Sequence, residues 1–458
     1  MKGSVKVTFL GAAGTVTGSK YLLEVDYLKI MIDCGLFQGL KDLRLLNWNE
    51  LPIKASEVDY VMLTHGHMDH VGYLPKFVNS GFKGPILATK PTLSVASIIL
   101  RDSAKIQEED ADRANKEGFS KHQITKPLYD MIDAEKAIKL FEYVDENEWY
   151  ELKEDVKIRF NYVGHIIGAT YIELEVNQKR FVFSGDVGRV DDFILFPPKK
   201  PSIADFLFIE STYGDRVHPK EDVKNKLIAI IKETINLNGN IIIPSFAVER
   251  AQTLMLLLFE LREEGKIPFI PLILDSPMGE KVLDLFIEYH SWHKLTMDEA
   301  IRLKKSFKVL ESYKETWDVI NKQTSKVIIA GSGMISGGRV LTYLMNYIHK
   351  KENTVLISGF QAEGTRGRAL IEGAKELKIF GKYYPVHARI EQLHSLSGHA
   401  DQEELLNWIS ELESQPKQVY IIHGEQKASE IFKTKLKEQK NIDSFVPKLN
   451  ETIECKLD

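Results

Sequence analysis

The chain has 458 residues, 43% of them hydrophobic, which exceeds the usual size of a single core and predicts two domains. Its two cysteines, Cys34 and Cys455, form neither a disulfide framework nor a Cys-X-X-Cys pair, and the first ten residues lack the charged-then-apolar order of a secretory signal, so a cytoplasmic location is expected. The net charge of −5 argues against a general nucleic-acid coat, and no apolar run nears the roughly 20 residues that span a bilayer, so no membrane partner is expected.

The first part reads as β-rich. Residues 5–10, 21–25 and 28–32 are short, apolar and β-branched, with Gly11, Gly14 and Gly18 between them, and further strands are predicted at 60–63 and 86–88. Residues 92–139 mix Ala, Glu, Lys and Asp in a pattern that favours helices with a wide polar face. Strands resume at 156–160, and 171–176 with 180–183 flank Asn177-Gln178 as a hairpin lacking the usual glycine. From residue 206 the rhythm alternates: strands at 241–243, 270–274, 326–330 and 354–357, helices at 248–264, 278–289 and 339–347. That alternation predicts a parallel, helix-covered sheet. After about 384 come a short strand, a helix at 402–410, a strand at 418–422 and a last helix from 426.

The chemistry concentrates in His65-Gly66-His67-Met68-Asp69-His70, which follows the apolar run 58–63 and packs four potential metal ligands into six residues at a strand end. Neutral imidazole with carboxylate suits zinc and related divalent ions. The ordinary alternative is a solvated polar turn, but His-X-His-X-Asp-His is far more specific than one His pair. Three further residues sit in the same context: His165 between Gly164 and Gly168, Asp186 after 181–185, and His423 after 419–422. Singly each reads as a capping residue; together they complete a two-ion site. Asp186 suits a bridging carboxylate, with His65, His67 and His165 on one metal and Asp69, His70 and His423 on the other. Asp33, ending 28–32, is placed to orient an imidazole or a bound water.

These residues resemble the motifs of the metallo-β-lactamase superfamily, and the downstream features resemble its β-CASP nuclease branch over nearly the whole chain. Asp33, His65 to His70, His165 and Asp186 match the first four motifs. Glu210 before Ser211-Thr212-Tyr213-Gly214, His399 in Leu396-Ser397-Gly398-His399-Ala400-Asp401, and His423 resemble the further motifs of the branch. The resemblance implies an α/β fold: an αββα sandwich interrupted by a Rossmann-like β-CASP cap. Residues 1–208 and 385–458 would form the metallo-β-lactamase domain and 209–384 the cap, with the active site in the cleft.

The implied activity is hydrolysis of phosphodiester bonds by two Zn²⁺, with Mn²⁺ as the alternative, through a hydroxide held between the metals. Asp69 and Asp33 serve that site. His399 would donate a proton to the leaving oxygen, with Glu210 raising its pKa and fixing its tautomer. In the branch, RNA-directed members carry His where His423 stands and DNA-repair members usually carry Val, which points to single-stranded RNA as substrate. A homodimer stays open. The alternatives are a β-CASP DNA nuclease, a small-molecule hydrolase of thioesterase or lactonase type, and a non-catalytic scaffold paralogue.

Gly331-Ser332-Gly333-Met334-Ile335-Ser336-Gly337-Gly338-Arg339 follows a strand and opens a helix, where free amides favour phosphate; Ser332, Gly333, Ser336, Gly337 and Arg339 are candidate substrate contacts, and Arg366 in 359–368 is another. A turn needing glycine for geometry alone is the equal alternative. Phe246 could add a stacking face. His122, His218, His290, His293, His349, His387 and His394 have no ligand context, and the Lys pairs at 199–200, 304–305 and 350–351 read as solvated surface.

Overall fold

The computed structural model describes residues 3–26, 28–117 and 125–457, so His122 and part of the predicted helical segment 92–139 lie outside the described residues. The chain divides into two units, Met1–Asp192 with Phe196–Val217 and His399–Asp458, and Phe193–Leu195 with His218–Gly398.

The first unit opens with strands β1 Ser4–Phe9, β2 Tyr21–Val25, β3 Leu28–Ile32, β4 Tyr60–Met62, β5 Ile86–Ala88 and β6 Phe141–Tyr143, then β7 Tyr150–Lys153, β8 Val156–Tyr162, β9 Thr170–Val176, β10 Lys179–Phe183 and β11 Phe206–Glu210. Short helices α1 Lys41–Leu46 and α2 Met68–Val71 follow β3 and β4. The second unit contributes β12 Ile241–Pro244, β13 Leu272–Asp275, β14 Lys308–Val309, β15 Val327–Ala330, β16 Thr354–Ile357, β17 Glu376–Ile379, β18 Lys382–Pro385 and β19 Arg389–Gln392. The returning tail adds β20 Gln418–Ile422, β21 Ser444–Phe445 and β22 Thr452–Lys456 to the first unit.

Two seven-stranded sheets, β22-β1-β2-β3-β4-β5-β6 and β21-β20-β11-β10-β9-β8-β7, bury their facing sides in one core. In β8 the alternation sends Val156, Ile158 and Phe160 into that core and leaves Lys157 and Arg159 part-exposed on the other face. Phe183 stacks on Phe208 with ring centroids 4.2 Å apart, and Phe208 on Tyr420 at 4.9 Å, tying the returning strand into the same core. Helices cover the outer faces: Trp408 of the helix Gln402–Trp408 packs edge-on against Tyr171 of β9, whose neighbour Ile172 points into the core. The first unit is therefore an αββα sandwich, as expected. The hairpin between β9 and β10 forms without glycine because Asn177 and Gln178 both adopt positive φ, 49° and 64°, the twist a two-residue turn requires.

The second unit is built on a six-stranded sheet, β14-β13-β15-β12-β16-β19, parallel throughout. β12, β13, β15 and β16 are buried at every position, as expected of parallel strands covered on both faces. Two helices absent from the sequence reading, Met297–Ser306 and Tyr313–Asn321, each begin with a capping box, Thr296 with Glu299 and Ser312 with Glu315. β19 pairs with β16 in this sheet, and the second unit runs to Gly398, with residues from His399 onward in the first unit. Among the described residues no helix is long and apolar enough to cross a membrane.

Candidate metal centre

The predicted ligands meet at one end of the sandwich because each follows a strand end. β3 leads into Asp33, β4 into His65 and α2, β10 into Asp186, and β20 into His423. The parallel pairing of β11 with β20 sets Glu210 beside Ile422, one residue before His423. Gly35 admits the ligand loop, since a Cβ there would lie 1.6 Å from the Asp69 carbonyl oxygen.

Two groups of donors result. In the first, His67 Nδ1 lies 3.1 Å from His65 Nε2 and 3.0 Å from His165 Nε2, and Asp186 Oδ2 lies 3.5 Å from both His65 Nε2 and His165 Nε2. In the second, His423 Nε2 lies 3.2 Å from His70 Nε2 and 3.4 Å from Asp69 Oδ2. Asp186 Oδ1 faces this second group, 3.4 Å from His70 Nε2 and 3.5 Å from His423 Nδ1. One carboxylate thus divides its two oxygens between the groups.

Residues behind the ligands hold them in place. Asp33 Oδ2 sits 2.7 Å from His70 Nδ1 and accepts from the Thr64 hydroxyl, which in turn lies 3.1 Å from His65 Nδ1. Thr212 Oγ1 lies 3.1 Å from His423 Nδ1. Outer partners of this kind fix which ring nitrogen is left for a metal. Thr64 and Thr212 were not singled out in the sequence; their only signal there is adjacency to His65 and Glu210.

The donor set fits divalent metal. Burial, reinforced by His70 and other histidines, drives His65 well below the ordinary imidazole range; burial also draws His67 down to about 4 against the pull of Asp69 and Asp186. Both rings are neutral, so lone pairs converge on one point, an arrangement that calls for a cation. Burial opposes charge on Asp186, yet His423, His70 and His65 hold it well below the usual carboxylate range, and its buried Oδ1 accepts no hydrogen bond. His65, His67, His165 and Asp186 bring one donor atom each within 4.8 Å of one another, as do Asp69, His70 and His423, so these seven residues would hold the metal.

Beside them stands an acid–base pair. Glu210 Oε1 accepts from the Val187 amide at 2.6 Å and lies 3.3 Å from His399 Nδ1, while its Oε2 accepts from the Thr212 amide. Burial works against charge on His399, but Glu210 and Asp186 carry its pKa up to about 9.

The candidate substrate contacts lie in the second unit. Arg339 is an internal strut there: its guanidinium pairs with buried Asp275 and donates to the Leu310 and Glu311 carbonyls. Arg366 donates to the carbonyls of Lys378, Ile335 and Ser336, clamping its own loop to the one bearing Ser332, Gly333, Ser336 and Gly337. Gln361, absent from the sequence reading, adds a second tie, donating to the Gly333 carbonyl at 3.0 Å.

An αββα sandwich with histidines and aspartates gathered at its strand ends defines a metallo-hydrolase. Residues 14–244 match the metallo-beta-lactamase superfamily, 251–370 the Beta-Casp domain, and 383–447 the Zn-dependent metallo-hydrolase RNA specificity domain. The chain belongs to the β-CASP RNA nuclease family of the metallo-β-lactamase superfamily, as the sequence motifs implied, and is a metal-dependent hydrolase. It is 33% identical to "Ribonuclease TTHA0252" of Thermus thermophilus, covering 92% of this chain and 94% of that one. It is 29% identical to an "RNase J-like protein" of Methanocaldococcus jannaschii, over 97% and 98%. It is 28% identical to "Transcription termination factor FttA" of the same organism, over 92% of this chain and 67% of that one. The fold also resembles a crystal structure of a protein of unknown function from Enterococcus faecalis, with a TM-score of 0.53, 14% identity, and coverage of 99% of this chain and 100% of that one.

Proposed function

We propose that this protein is a zinc-dependent ribonuclease that hydrolyses phosphodiester bonds of single-stranded RNA at a two-metal centre. The observation that carries the reading is Asp186, whose Oδ2 faces His65 and His165 while its Oδ1 faces His70 and His423. Bound there, two divalent ions would offset charge on the phosphoryl oxygens and acidify a water to act as nucleophile. His65, His67 and His165 would hold one ion and Asp69, His70 and His423 the other, with Asp186 common to both.

The chain's own residues handle the proton. His399, whose pKa is carried up to about 9 by Glu210 and Asp186, would donate to the leaving oxygen, and Glu210 would keep the ring oriented through Nδ1. Asp33 accepts from His70 Nδ1, which would leave Nε2 to hold a metal. In the second unit, the loop carrying Ser332, Gly333, Ser336 and Gly337 would receive substrate phosphate through its backbone, with Arg339 and Arg366 bracing that loop. The RNA specificity domain matched at 383–447 and the relatives named as ribonucleases support RNA over DNA. The test is incubation of zinc-loaded protein with end-labelled single-stranded RNA and the matching DNA. Cleavage of RNA and not DNA is expected. Intact RNA after removal and return of zinc would sink the reading, and cleavage of DNA alone would favour the DNA-nuclease alternative.

A further inference from the structure

We infer that α1 and the turn after it form a stacking and phosphate-binding platform for single-stranded RNA beside the metal centre, with Trp48 as its base-stacking side chain. The inference rests on the proposed RNA substrate. No residue of α1 is buried, and Leu40, Leu45 and Trp48 are 41%, 51% and 55% exposed. Leu43 and Leu46 are partly covered and seat the helix, so the apolar surface it displays is that of Leu40, Leu45 and Trp48.

The platform is held rigid and close to the ligands. Asn47 closes it by accepting from the Phe37 amide at 2.9 Å and donating to the Phe37 carbonyl at 2.8 Å. The Lys76 ammonium donates to the Asn47 carbonyl at 2.7 Å and lies over the Trp48 ring, 5.7 Å from its centroid. The chain leading into α1 runs along the ligand loop: the Leu36 amide donates to the Met68 carbonyl at 3.1 Å, and Gly35 packs on the Asp69 backbone. A strand stacked on Trp48 would therefore pass next to residues 65–70.

Charge selects the occupant. Lys41, Arg44 and Lys76 outnumber Asp42 and Glu50 here, in a chain whose net charge is −5. A second copy meeting this face about a two-fold axis would oppose like cations, which disfavours a self-contact. Single strands, by contrast, are bound by aromatic side chains that stack bases flanked by cations that track the backbone.

The test measures binding of full-length, zinc-loaded protein to a cleavage-resistant phosphorothioate single-stranded oligoribonucleotide by fluorescence anisotropy over a salt series. Trp48→Ala is expected to weaken binding about tenfold, whereas Trp48→Phe keeps it within about threefold, as loss of one stacked base predicts. Lys41→Ala with Arg44→Ala is expected to lower the slope of log Kd against log salt by about 1.4, as for two lost single-strand phosphate contacts. Zinc content by mass spectrometry reports folding of each variant, and the Lys41/Arg44 variant gives a second reading should Trp48→Ala lose zinc. Wild-type affinity and salt slope in both zinc-replete variants overturn the platform while leaving the RNA reading intact. Failure of the wild type to bind RNA overturns both. Conversion of a wild-type dimer to a monomer by Trp48→Ala, with RNA affinity unchanged, makes the face a contact between copies and overturns the proposal.

Discussion

Glu210 and His399 stand 189 residues apart in sequence, yet Glu210 Oε1 lies 3.3 Å from His399 Nδ1 while its other oxygen accepts from the Thr212 amide. The carboxylate is fully buried and anchored by two backbone donors, so the imidazole is held by a group that cannot turn away. His399→Ala is expected to keep its metal content and lose about a hundredfold or more in single-turnover cleavage, the usual scale of a positioned proton donor. Metal analysis beside a rapid-quench assay separates the roles; loss of metal in this variant would make His399 a ligand.

His423 and Thr212 predict a graded effect on metal. His423→Ala should lower metal stoichiometry at one of the two positions. Thr212→Val, which removes the hydroxyl 3.1 Å from His423 Nδ1, should weaken metal affinity about tenfold while leaving stoichiometry at saturation unchanged. Competition with a chelator reads both, and identical affinities in Thr212→Val and wild type would remove Thr212 from any orienting role.

Gly35→Ala places a methyl group 1.6 Å from the Asp69 carbonyl oxygen, so the loop carrying Asp69 and His70 must move. The expected result is a loss of about 2 kcal/mol or more in unfolding free energy, typical of a steric clash in a packed site, together with reduced metal binding. Urea denaturation of the metal-free forms measures the first effect and titration with zinc the second. Wild-type values in both would mean that the loop yields cheaply.

Lys20 gives a pH signature from a residue outside the candidate ligand set. It is buried, donates to the Gly18 and Gly35 carbonyls, and faces the rings of Phe37 and Tyr73; burial lowers its pKa from 10.5 to about 8, partly countered by Cys34. The Cys34 thiol is itself pushed up to about 12 and stays neutral. Between pH 8 and 10.5 the unfolded chain keeps the Lys20 proton and the folded chain sheds it, so Lys20 contributes a rise in stability of about 3 kcal/mol across that window, opposed above pH 9 by Cys34, whose proton the folded chain keeps and the unfolded chain sheds. Lys20→Met should lack this rise, which urea unfolding at the two ends of the window will test; an equal rise in both proteins would refute it.

The candidate ligands were legible because each follows the end of an apolar strand, and the two facing sheets bring those strand ends together at one end of the sandwich. Asp186 and His423 were readable for that reason, as was the alternation that gives the second unit its parallel sheet. Thr64 and Thr212 were not, since a threonine beside a strand end carries no signature until its partner ring is in place. The partners of Arg339 and Arg366 were not readable for a related reason: Asp275, which holds Arg339, and the carbonyl of Lys378, which receives Arg366, lie far off in sequence. The helices Met297–Ser306 and Tyr313–Asn321 were announced by Thr296-Met297-Asp298-Glu299 and Ser312-Tyr313-Lys314-Glu315, signals present in the sequence and passed over.

The parallel pairing of β11 with β20 has a consequence for the order in which the centre comes into being. His65, His67, His165 and Asp186 are all synthesised before the second unit, but His423 arrives only after it, on a strand that must dock beside Glu210. Asp69 and His70 of the second donor group are also made early, so that group lacks only His423 while the second unit is being synthesised. The candidate metal centre is thus complete only when β20 docks beside β11, after the whole of the second unit has been made.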